Sequence, residues 1–227
     1  MSCLAIITAR GGSKRIPKKN IKEFCGKPII AYSIEAALDS GIFDEVMVST
    51  DSEEIASIAV QFGAKVPFMR SAETSNDFAT TNDVLIEVIN EYKSRGSNFD
   101  SICCIYPTAP FITPAKLIEG FELMQNGAVS VMPVVKFSFP PQRGLVFRDG
   151  ILDYREKENS LLRSQDLEPI YHDAGQFYFY RLDENSKFVD GNYSAIILED
   201  YDVQDIDTES DWMIAEAKFK SKRLFLR

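Results

Sequence analysis

The sequence predicts an α/β fold in which helices cover both faces of a mostly parallel central sheet. Short runs of branched apolar residues alternate with segments whose apolar residues recur at helical spacing. Glycine, proline or acidic residues separate the two patterns, as they do where strands end and helices begin. This alternation is typical of three-layer, Rossmann-like domains, so residues 1–227 are expected to form one such domain.

The predicted strands are short apolar runs that suit burial within a sheet. In chain order they cover residues 4–7, 45–50, 66–69, 101–106, 129–135, 175–180 and 194–198. Amphipathic spacing predicts helices over residues 28–38, 51–62, 81–92 and 210–221. Ligands of such sheets bind beyond the carboxyl ends of the strands, so the loops that follow the early strands should share one functional edge.

Asp51 follows the second predicted strand and places a carboxylate at that edge. Helix capping explains an acidic residue at this point equally well, because it lies at the start of the next helix. Asp51 is therefore left out of the predicted catalytic set.

The alternation of strands and helices stops after residue 135. Residues 136–169 contain three prolines and the hairpin signature Asp149-Gly150, which predicts a tight turn between two short strands. A hairpin of this size cannot bury an apolar core by itself. This segment, here called the arm, is therefore expected to pack against another surface.

Charge is distributed unevenly along the chain. The net charge is −9, yet residues 10–27 contain seven Lys or Arg residues and one acidic residue. Nucleic-acid binding would call for a broad basic surface, which the composition excludes. One small basic patch on an acidic protein instead indicates a site for a small polyanion.

Cysteine usage and the N-terminal residues predict a cytoplasmic protein with no membrane partner. Cys3, Cys25, Cys103 and Cys104 lack the spacing of metal ligands and are expected to be reduced. The first apolar run follows no basic segment, and it is too short for a signal peptide or a membrane helix.

The basic patch begins with a glycine pair directly after the first strand. Gly11 and Gly12 allow close approach of the backbone to a ligand, and Ser13 and four Lys or Arg residues follow on the loop. The spacing matches neither a Walker A loop nor a dinucleotide fingerprint. A glycine pair alone is more often an ordinary turn, so its phosphate-binding role depends on the rest of the chain.

Three ordered motifs supply that context. Residues 9–20 read Ala-Arg-Gly-Gly-Ser-Lys-Arg-Ile-Pro-Lys-Lys-Asn, residues 106–110 read Tyr-Pro-Thr-Ala-Pro, and residues 205–211 contain Asp-Ile-Asp-Thr-Glu-x-Asp. The first resembles the signature of the cytidylyltransferases that activate sialic acid and related nonulosonic acids. The other two resemble that family's central Pro-Thr-x-Pro loop and its metal-binding strand end.

The resemblance implies a nucleotide site and a reaction. It implies that CTP is bound by Ala9, Arg10, Gly11, Gly12, Ser13, Lys19, Asn20, Arg70, Thr80 and Thr81. The anomeric hydroxyl of a nine-carbon sugar acid would displace pyrophosphate from CTP, with Arg10, Lys19 and Asp207 as catalytic residues. Asp205 and Asp207 alternate as they would on one face of a strand, and their oxygen ligands suit Mg²⁺.

The acceptor side departs from the pattern of sialate-activating members. Tyr106 stands where glutamine is usual, and residues 171–178 differ from the Asn-Gly-Ala type of stretch. These differences, with the sequence of residues 140–143, are more similar to the pseudaminic acid branch. The expected acceptor contacts are Tyr106, Gln142, Arg143, His172 and Gln176.

The resemblance also implies a homodimer, and the arm is predicted to supply much of its contact; a lid on the same subunit is the alternative. Sialate, legionaminate or 3-deoxy-octulosonate enzymes with the same mechanism remain open, as does a catalytically silent homologue that binds nucleotide.

Overall fold

The computed structural model describes residues 1–225, and their side chains as far as residue 222. Its strands are β1 (Cys3–Thr8), β2 (Glu23–Phe24), β3 (Lys27–Pro28), β4 (Glu45–Ser49), β5 (Ser101–Ile105), β6 (Ser130–Lys136), β7 (Leu145–Arg148), β8 (Ile151–Tyr154), β9 (Tyr171–Asp173), β10 (Phe177–Arg181) and β11 (Tyr193–Leu198). Its α-helices are α1 (Ile29–Ser40), α2 (Glu53–Gln61), α3 (Ala72–Ser75), α4 (Thr81–Ser94), α5 (Pro114–Gln125) and α6 (Glu209–Phe225).

A seven-stranded sheet forms the centre of the domain. Its strands lie in the order β11-β6-β10-β5-β1-β4, and β9 pairs with β6 beyond one end of β10. Strands β1, β4, β5, β6 and β11 run in one direction, whereas β9 and β10 run against them. The prediction of an α/β domain with a mostly parallel sheet is confirmed.

Side chains alternate between the two faces of the sheet and build two cores. Along β1, Ala5 and Ile7 belong to a core with residues of α1, α2 and α5. Leu4 and Ile6 face the opposite way and pack with residues of α4. A third cluster, which includes Phe24 and Trp212, attaches α6 beside α1. The strand period of two residues therefore produces the predicted three layers.

The predicted strand over residues 66–69 is wrong. Only Lys65 bridges to β4, where its N–H donates to the carbonyl of Val46 and its carbonyl accepts from the N–H of Val48. Pro67 follows two residues later and has no N–H with which to continue a ladder. The chain then leaves the sheet, and the Arg70 N–H donates to the carbonyl of Thr50, just beyond the end of β4.

The predicted strand end at Asp205 and Asp207 is also wrong, since residues 203–207 have no regular secondary structure.

Helix α5 is absent from the helices predicted above. Its signals were present: Thr113 caps the helix by accepting the N–H of Lys116, and Pro114 occupies the first turn.

The arm contains the predicted hairpin. Strands β7 and β8 pair in antiparallel register, and Asp149 and Gly150 in the turn both have positive φ, at 50° and 78°. These values match the type I′ turn that an Asp-Gly pair favours. Large apolar side chains of the arm are exposed, including Phe139, Phe147 and Leu161 at 86%, 73% and 95%.

Three of the cysteines, Cys3, Cys103 and Cys104, are buried as reduced thiols. Burial raises the pKa of Cys3 and of Cys104 to about 12, so these thiols stay protonated. Within residues 1–225, no helix has the length and apolar character needed to cross a membrane.

We expect Gly120→Ala to destabilise the domain, although alanine normally favours a helix interior. A Cβ at Gly120 in α5 would lie 2.7 Å from Cε2 of Phe179, whose ring is fully buried. Overpacking of this kind costs about 1–3 kcal/mol, which exceeds the helix-propensity gain of about 1 kcal/mol. Urea unfolding would measure the difference. Gly12→Ala is the control for stability because its Cβ would meet no atom within 4 Å; equal stability of Gly120→Ala and the parent would contradict the packing argument.

Candidate active site

Three adjoining cavities lie along the edge of the sheet at which β1, β4 and β5 end. The central cleft has a volume of about 420 Å³ and is lined by the basic loop, by Tyr106-Pro107-Thr108 and by Asp207. The second, here called the Arg70 cavity, measures about 270 Å³ and shares Thr8 and Arg10 with the cleft. The third, here called the tyrosine cavity, measures about 310 Å³ and shares Tyr106 with the cleft. The predicted site loops therefore do meet at one edge.

The basic loop is fixed at its two ends. The N–H of Ala9 donates to the carbonyl of Ser49 at 2.9 Å, which ties the end of β1 to β4. Asn20 is buried, and its amide Nδ2 donates to the carbonyl of Arg10 at 2.9 Å. This bond closes the loop from residue 10 to residue 20 and holds the cations around the central cleft.

Carboxylates from distant segments pair with the cations of the loop. Asp77 accepts from Nη1 of Arg10 at 2.9 Å and also from Nζ of Lys14. Asp207 accepts from both Nη1 and Nη2 of Arg15 at 2.9 Å. Because these groups are partly exposed, the pairs are weak, and phosphate oxygens can replace the carboxylates.

Lys19 is the least exposed cation of the cleft. Its Nζ donates to the carbonyl of Ile206 at 2.7 Å and lies 3.6 Å from Oδ1 of Asp207. The side chain is only 22% exposed, so its charge is screened less by water than those of its neighbours. Lys19, Arg10, Ser13 and Asn20 all line the cleft, where the sequence placed them.

The two glycines of the loop have different environments. The N–H of Gly11 donates to Oδ1 of Asp51 at 2.8 Å, so this donor is engaged within the protein. Gly12 has open space where a Cβ would lie, which is the arrangement that close approach to a ligand requires. Ser52, rather than Asp51, caps α2 by accepting the N–H of Ile55, and the Asp51 carboxylate instead contacts the loop at Gly11.

Arg70 lies at the back of the Arg70 cavity. It is 8% exposed, and its Nε and Nη2 donate to the hydroxyl and the carbonyl of Ser49 at 3.0 and 2.6 Å. Burial lowers the pKa of the Arg70 guanidinium from its ordinary value. Thr80 and Thr81 line the same cavity, and Thr80 forms a capping box with Asp83 at the start of α4.

The two predicted metal ligands have different positions. Asp207 lines the central cleft, whereas Asp205 is exposed and is not among the lining residues. Within residues 1–225, no group of three or more His, Cys, Asp or Glu residues is arranged to hold a metal. The Asp211 carboxylate accepts the N–H groups of Asp207 and Thr208 at 3.1 and 2.8 Å, so it stabilises this segment and the start of α6.

The tyrosine cavity is the part of the site that the sequence analysis largely missed. Its walls come from Tyr106, Tyr178, Tyr180, Tyr193 and the neighbouring residues Thr81, Asn82, Leu85, Met132 and Asp173. A signal was available in β10, where residues 177–180 read Phe-Tyr-Phe-Tyr. Because successive side chains of a strand point to opposite faces of the sheet, both phenylalanines pack in one core and both tyrosines face the other side.

Four of the five predicted acceptor contacts lie outside all three cavities. Gln142 and Arg143 are in the arm, where they contact Glu168 and Ser164. Gln176 is buried, and its amide donates to the carbonyl of Asp202 at 2.8 Å. His172 packs against the ring of Phe137. Tyr106 is the predicted contact that does line the site, and the roles of the other four remain predictions.

A basic cleft at the carboxyl edge of an α/β sheet, flanked by two further cavities, has the organisation of a nucleotidyltransferase. A family model described as "Cytidylyltransferase" matches residues 4–190. The chain therefore belongs to the cytidylyltransferase family, and the resemblance read from its three motifs is confirmed.

Relatives and one solved structure agree with this assignment. The chain is 42% identical over 226 residues to a pseudaminic acid cytidylyltransferase of Campylobacter jejuni, with 97% of each chain covered. It is 34% identical over 231 residues to a CMP-N,N'-diacetyllegionaminic acid synthase of Legionella pneumophila, with 95% of each covered. A solved CMP:2-keto-3-deoxy-manno-octonic acid synthetase complexed with CTP superposes with a TM-score of 0.71 at 19% identity, covering 98% of this chain and 100% of its own, and so shows the same fold.

We expect Asp77→Asn to strengthen CTP binding. The substitution removes the negative charge that holds Arg10 and Lys14, so the phosphates no longer compete with a carboxylate for these cations. Titration calorimetry at low ionic strength should show a Kd lowered by about three- to tenfold. Glu91→Gln, which removes the partner of Arg95 on α4, is the matched control and should leave the Kd unchanged. Weaker binding by Asp77→Asn would mean that Asp77 supports the nucleotide instead of competing with it.

Proposed function

We propose that this protein transfers CMP from CTP to the anomeric hydroxyl of a nonulosonic acid, pseudaminic acid, and releases pyrophosphate. The observation that carries the proposal is the position of Tyr106, which lines both the basic central cleft and the tyrosine cavity. A triphosphate in the cleft and an acceptor in the tyrosine cavity would thus both lie next to Tyr106. The pseudaminate and legionaminate relatives support the same class of acceptor.

The reaction joins the anomeric oxygen of the sugar to the α-phosphorus of CTP. The bond from that phosphorus to the bridging oxygen breaks, pyrophosphate leaves, and the hydroxyl proton passes to solvent or to a neighbouring base. Arg10, Lys14, Arg15 and Lys19 surround the cleft and would neutralise the charge on the phosphates. The Arg70 cavity, which adjoins the cleft at Arg10, would hold the nucleoside with Thr80 and Thr81.

The residues of the cleft fit a magnesium ion that arrives with the nucleotide. Mg²⁺ often uses only one or two protein carboxylates, and phosphate oxygens and water complete its shell. Asp207 is in the cleft, and Asp205 is two residues away in an irregular segment. When bound, the ion would withdraw electron density from the phosphates. Arg15 and Lys19 hold the Asp207 carboxylate in position before the nucleotide binds.

Sialic and legionaminic acids are the alternative acceptors, because the same mechanism serves all three sugars. A catalytically silent homologue would bind CTP and release no pyrophosphate with any of them. Asp207 at the cleft and an intact basic loop favour an active enzyme.

Pyrophosphate release tests this proposal. With CTP and Mg²⁺, we expect release with pseudaminic acid to exceed release with N-acetylneuraminic or N,N'-diacetyllegionaminic acid. Asp207→Asn should lower kcat/KM by about a hundredfold, the scale of losing one electrostatic group at a reacting centre. Asp100→Asn, at the opposite edge of the sheet, is the matched control and should behave like the parent. CTP binding without turnover on any sugar would reject the proposal in favour of the silent homologue.

We also propose that the protein is a homodimer whose contact involves the arm. The hairpin of β7 and β8 exposes Phe147 and Ile151, and Leu161 is 95% exposed. The arm also contains two buried polar atoms without a hydrogen-bond partner, Oε1 of Gln142 and Nε of Arg143. Exposed apolar side chains in a small hairpin favour burial against a second subunit.

We expect the parent protein to elute with the mass of two chains in size-exclusion chromatography with light scattering. The double substitution Phe147→Asp and Leu161→Asp should shift it to one chain, because each charge would have to be buried at the contact. Val60→Asp, which alters an exposed apolar residue of α2, should leave the dimer intact. A monomeric parent would leave the arm as a lid on its own subunit.

A cytoplasmic location follows from the proposed reaction, because CTP is a cytoplasmic substrate. The buried reduced thiols of Cys103 and Cys104 agree with a reducing compartment.

A further inference from the structure

The tyrosine cavity has an unusual surface, because its hydroxyl groups bind one another and neighbouring residues. The Tyr178 hydroxyl donates to Oδ1 and Oδ2 of Asp173 at 2.9 and 2.8 Å. The Tyr180 hydroxyl interacts with that of Tyr193. Aromatic faces, together with Leu85 and Met132, therefore form much of the surface that a ligand would meet.

Asp173 is the anchor of this arrangement. It ends β9, and its Oδ1 also accepts the N–H of Gly175 at 2.8 Å. The carboxylate is thus held by the backbone on one side and receives the Tyr178 hydroxyl on the other. Burial, followed by the bond to Asp173, raises the pKa of Tyr178, so the hydroxyl stays protonated and remains a donor near neutral pH.

Tyr178 in turn contacts Tyr106. The ring centroids are 5.4 Å apart and tilted by 57°, and the Tyr106 hydroxyl interacts with those of Thr81 and Tyr178. The carbonyl of Tyr106 accepts the Ser33 hydroxyl at 2.8 Å, which fixes the backbone of the same residue from α1. The backbone of Tyr106 is therefore held by Ser33, and its side chain by Thr81 and Tyr178.

We propose that Asp173 and Tyr178 are positioning residues that hold the Tyr106 ring as one wall of the acceptor site, and that the resulting aromatic cavity selects sugar acids with two N-acetyl groups over those with one. This inference rests on the proposed function, since it specifies the acceptor of the same site. The methyl of an N-acetyl group packs well on an aromatic face, whereas a hydroxyl there would lose its hydrogen bonds to water. Asn82 and the cavity's rim remain available for the amide groups.

The test measures acceptor kinetics of the full chain by pyrophosphate release, with CTP saturating. For Tyr178→Phe and Asp173→Ala we expect the KM for pseudaminic acid to rise by about tenfold or more, the usual effect of losing an oriented polar contact at a binding site. The preference for pseudaminic acid over N-acetylneuraminic acid, which has one N-acetyl group, should fall by a similar factor. The KM for CTP should stay the same, because neither substitution changes a cation of the central cleft.

Two further variants separate positioning from a general structural effect. Asp173→Asn keeps an oxygen that accepts from Tyr178 and Gly175, so it should restore most of the activity that Asp173→Ala loses. Tyr171→Phe removes a hydroxyl from the same strand at a position that is 39% exposed and should match the parent.

The outcomes distinguish this inference from the proposed function. If the parent releases no pyrophosphate with any nonulosonic acid, the proposed function fails and the inference fails with it. If the parent is active while Tyr178→Phe keeps the parent's acceptor KM and preference, the inference alone is overturned. Should Asp173→Ala fail to fold, Tyr178→Phe and Asp173→Asn still decide the question, because neither removes the Gly175 contact.

Discussion

Mutual repulsion among the cations of the basic loop is the constraint on which the rest of the site depends. Residues 10–22 contain six Lys and Arg side chains within one loop. Repulsion between these positive charges disfavours a compact loop. Carboxylates from three other segments offset this repulsion: Asp77 before α4, Glu54 on α2, and Asp207 and Glu209 at the start of α6. Each pair is weak by itself, but together they attach the loop to α2, to the segment before α4 and to the start of α6.

Periodicity and turn chemistry predicted most of the fold, and local context explains the errors. The strands that flank the active edge and the Asp149-Gly150 hairpin follow patterns that act over a few residues. The proposed strand over residues 66–69 has the composition of a strand, yet Pro67 interrupts its ladder. Helix α5 was missed although Thr113 and Pro114 marked its start. The alternating positions of Asp205 and Asp207 predicted a strand, but the backbone there is irregular.

The nucleotide side of the site was predictable because its residues are concentrated in one loop, and Arg10, Ser13, Lys19 and Asn20 do line the cleft. The acceptor side was harder, because it is assembled by long-range pairing. Asp173 reaches the cavity only because β9 pairs with β6, and Tyr178 only because β10 lies between β5 and β6. Neither strand pairing can be predicted from the local sequence. From its spacing, Gln176 was therefore as plausible an acceptor contact as Tyr178, although it is buried against Asp202.

The reversed strand β10 has a consequence for how the chain folds. It occupies the middle of the sheet, between β5 and β6, yet it is synthesised after both of them and after the arm. Until it emerges from the ribosome, β5 and β6 each have an open edge, and open edges of apolar strands promote association with other chains. The topology therefore has a high contact order and should fold late and cooperatively. Fragments that end before β10 would therefore lack the strand that joins the two halves of the sheet.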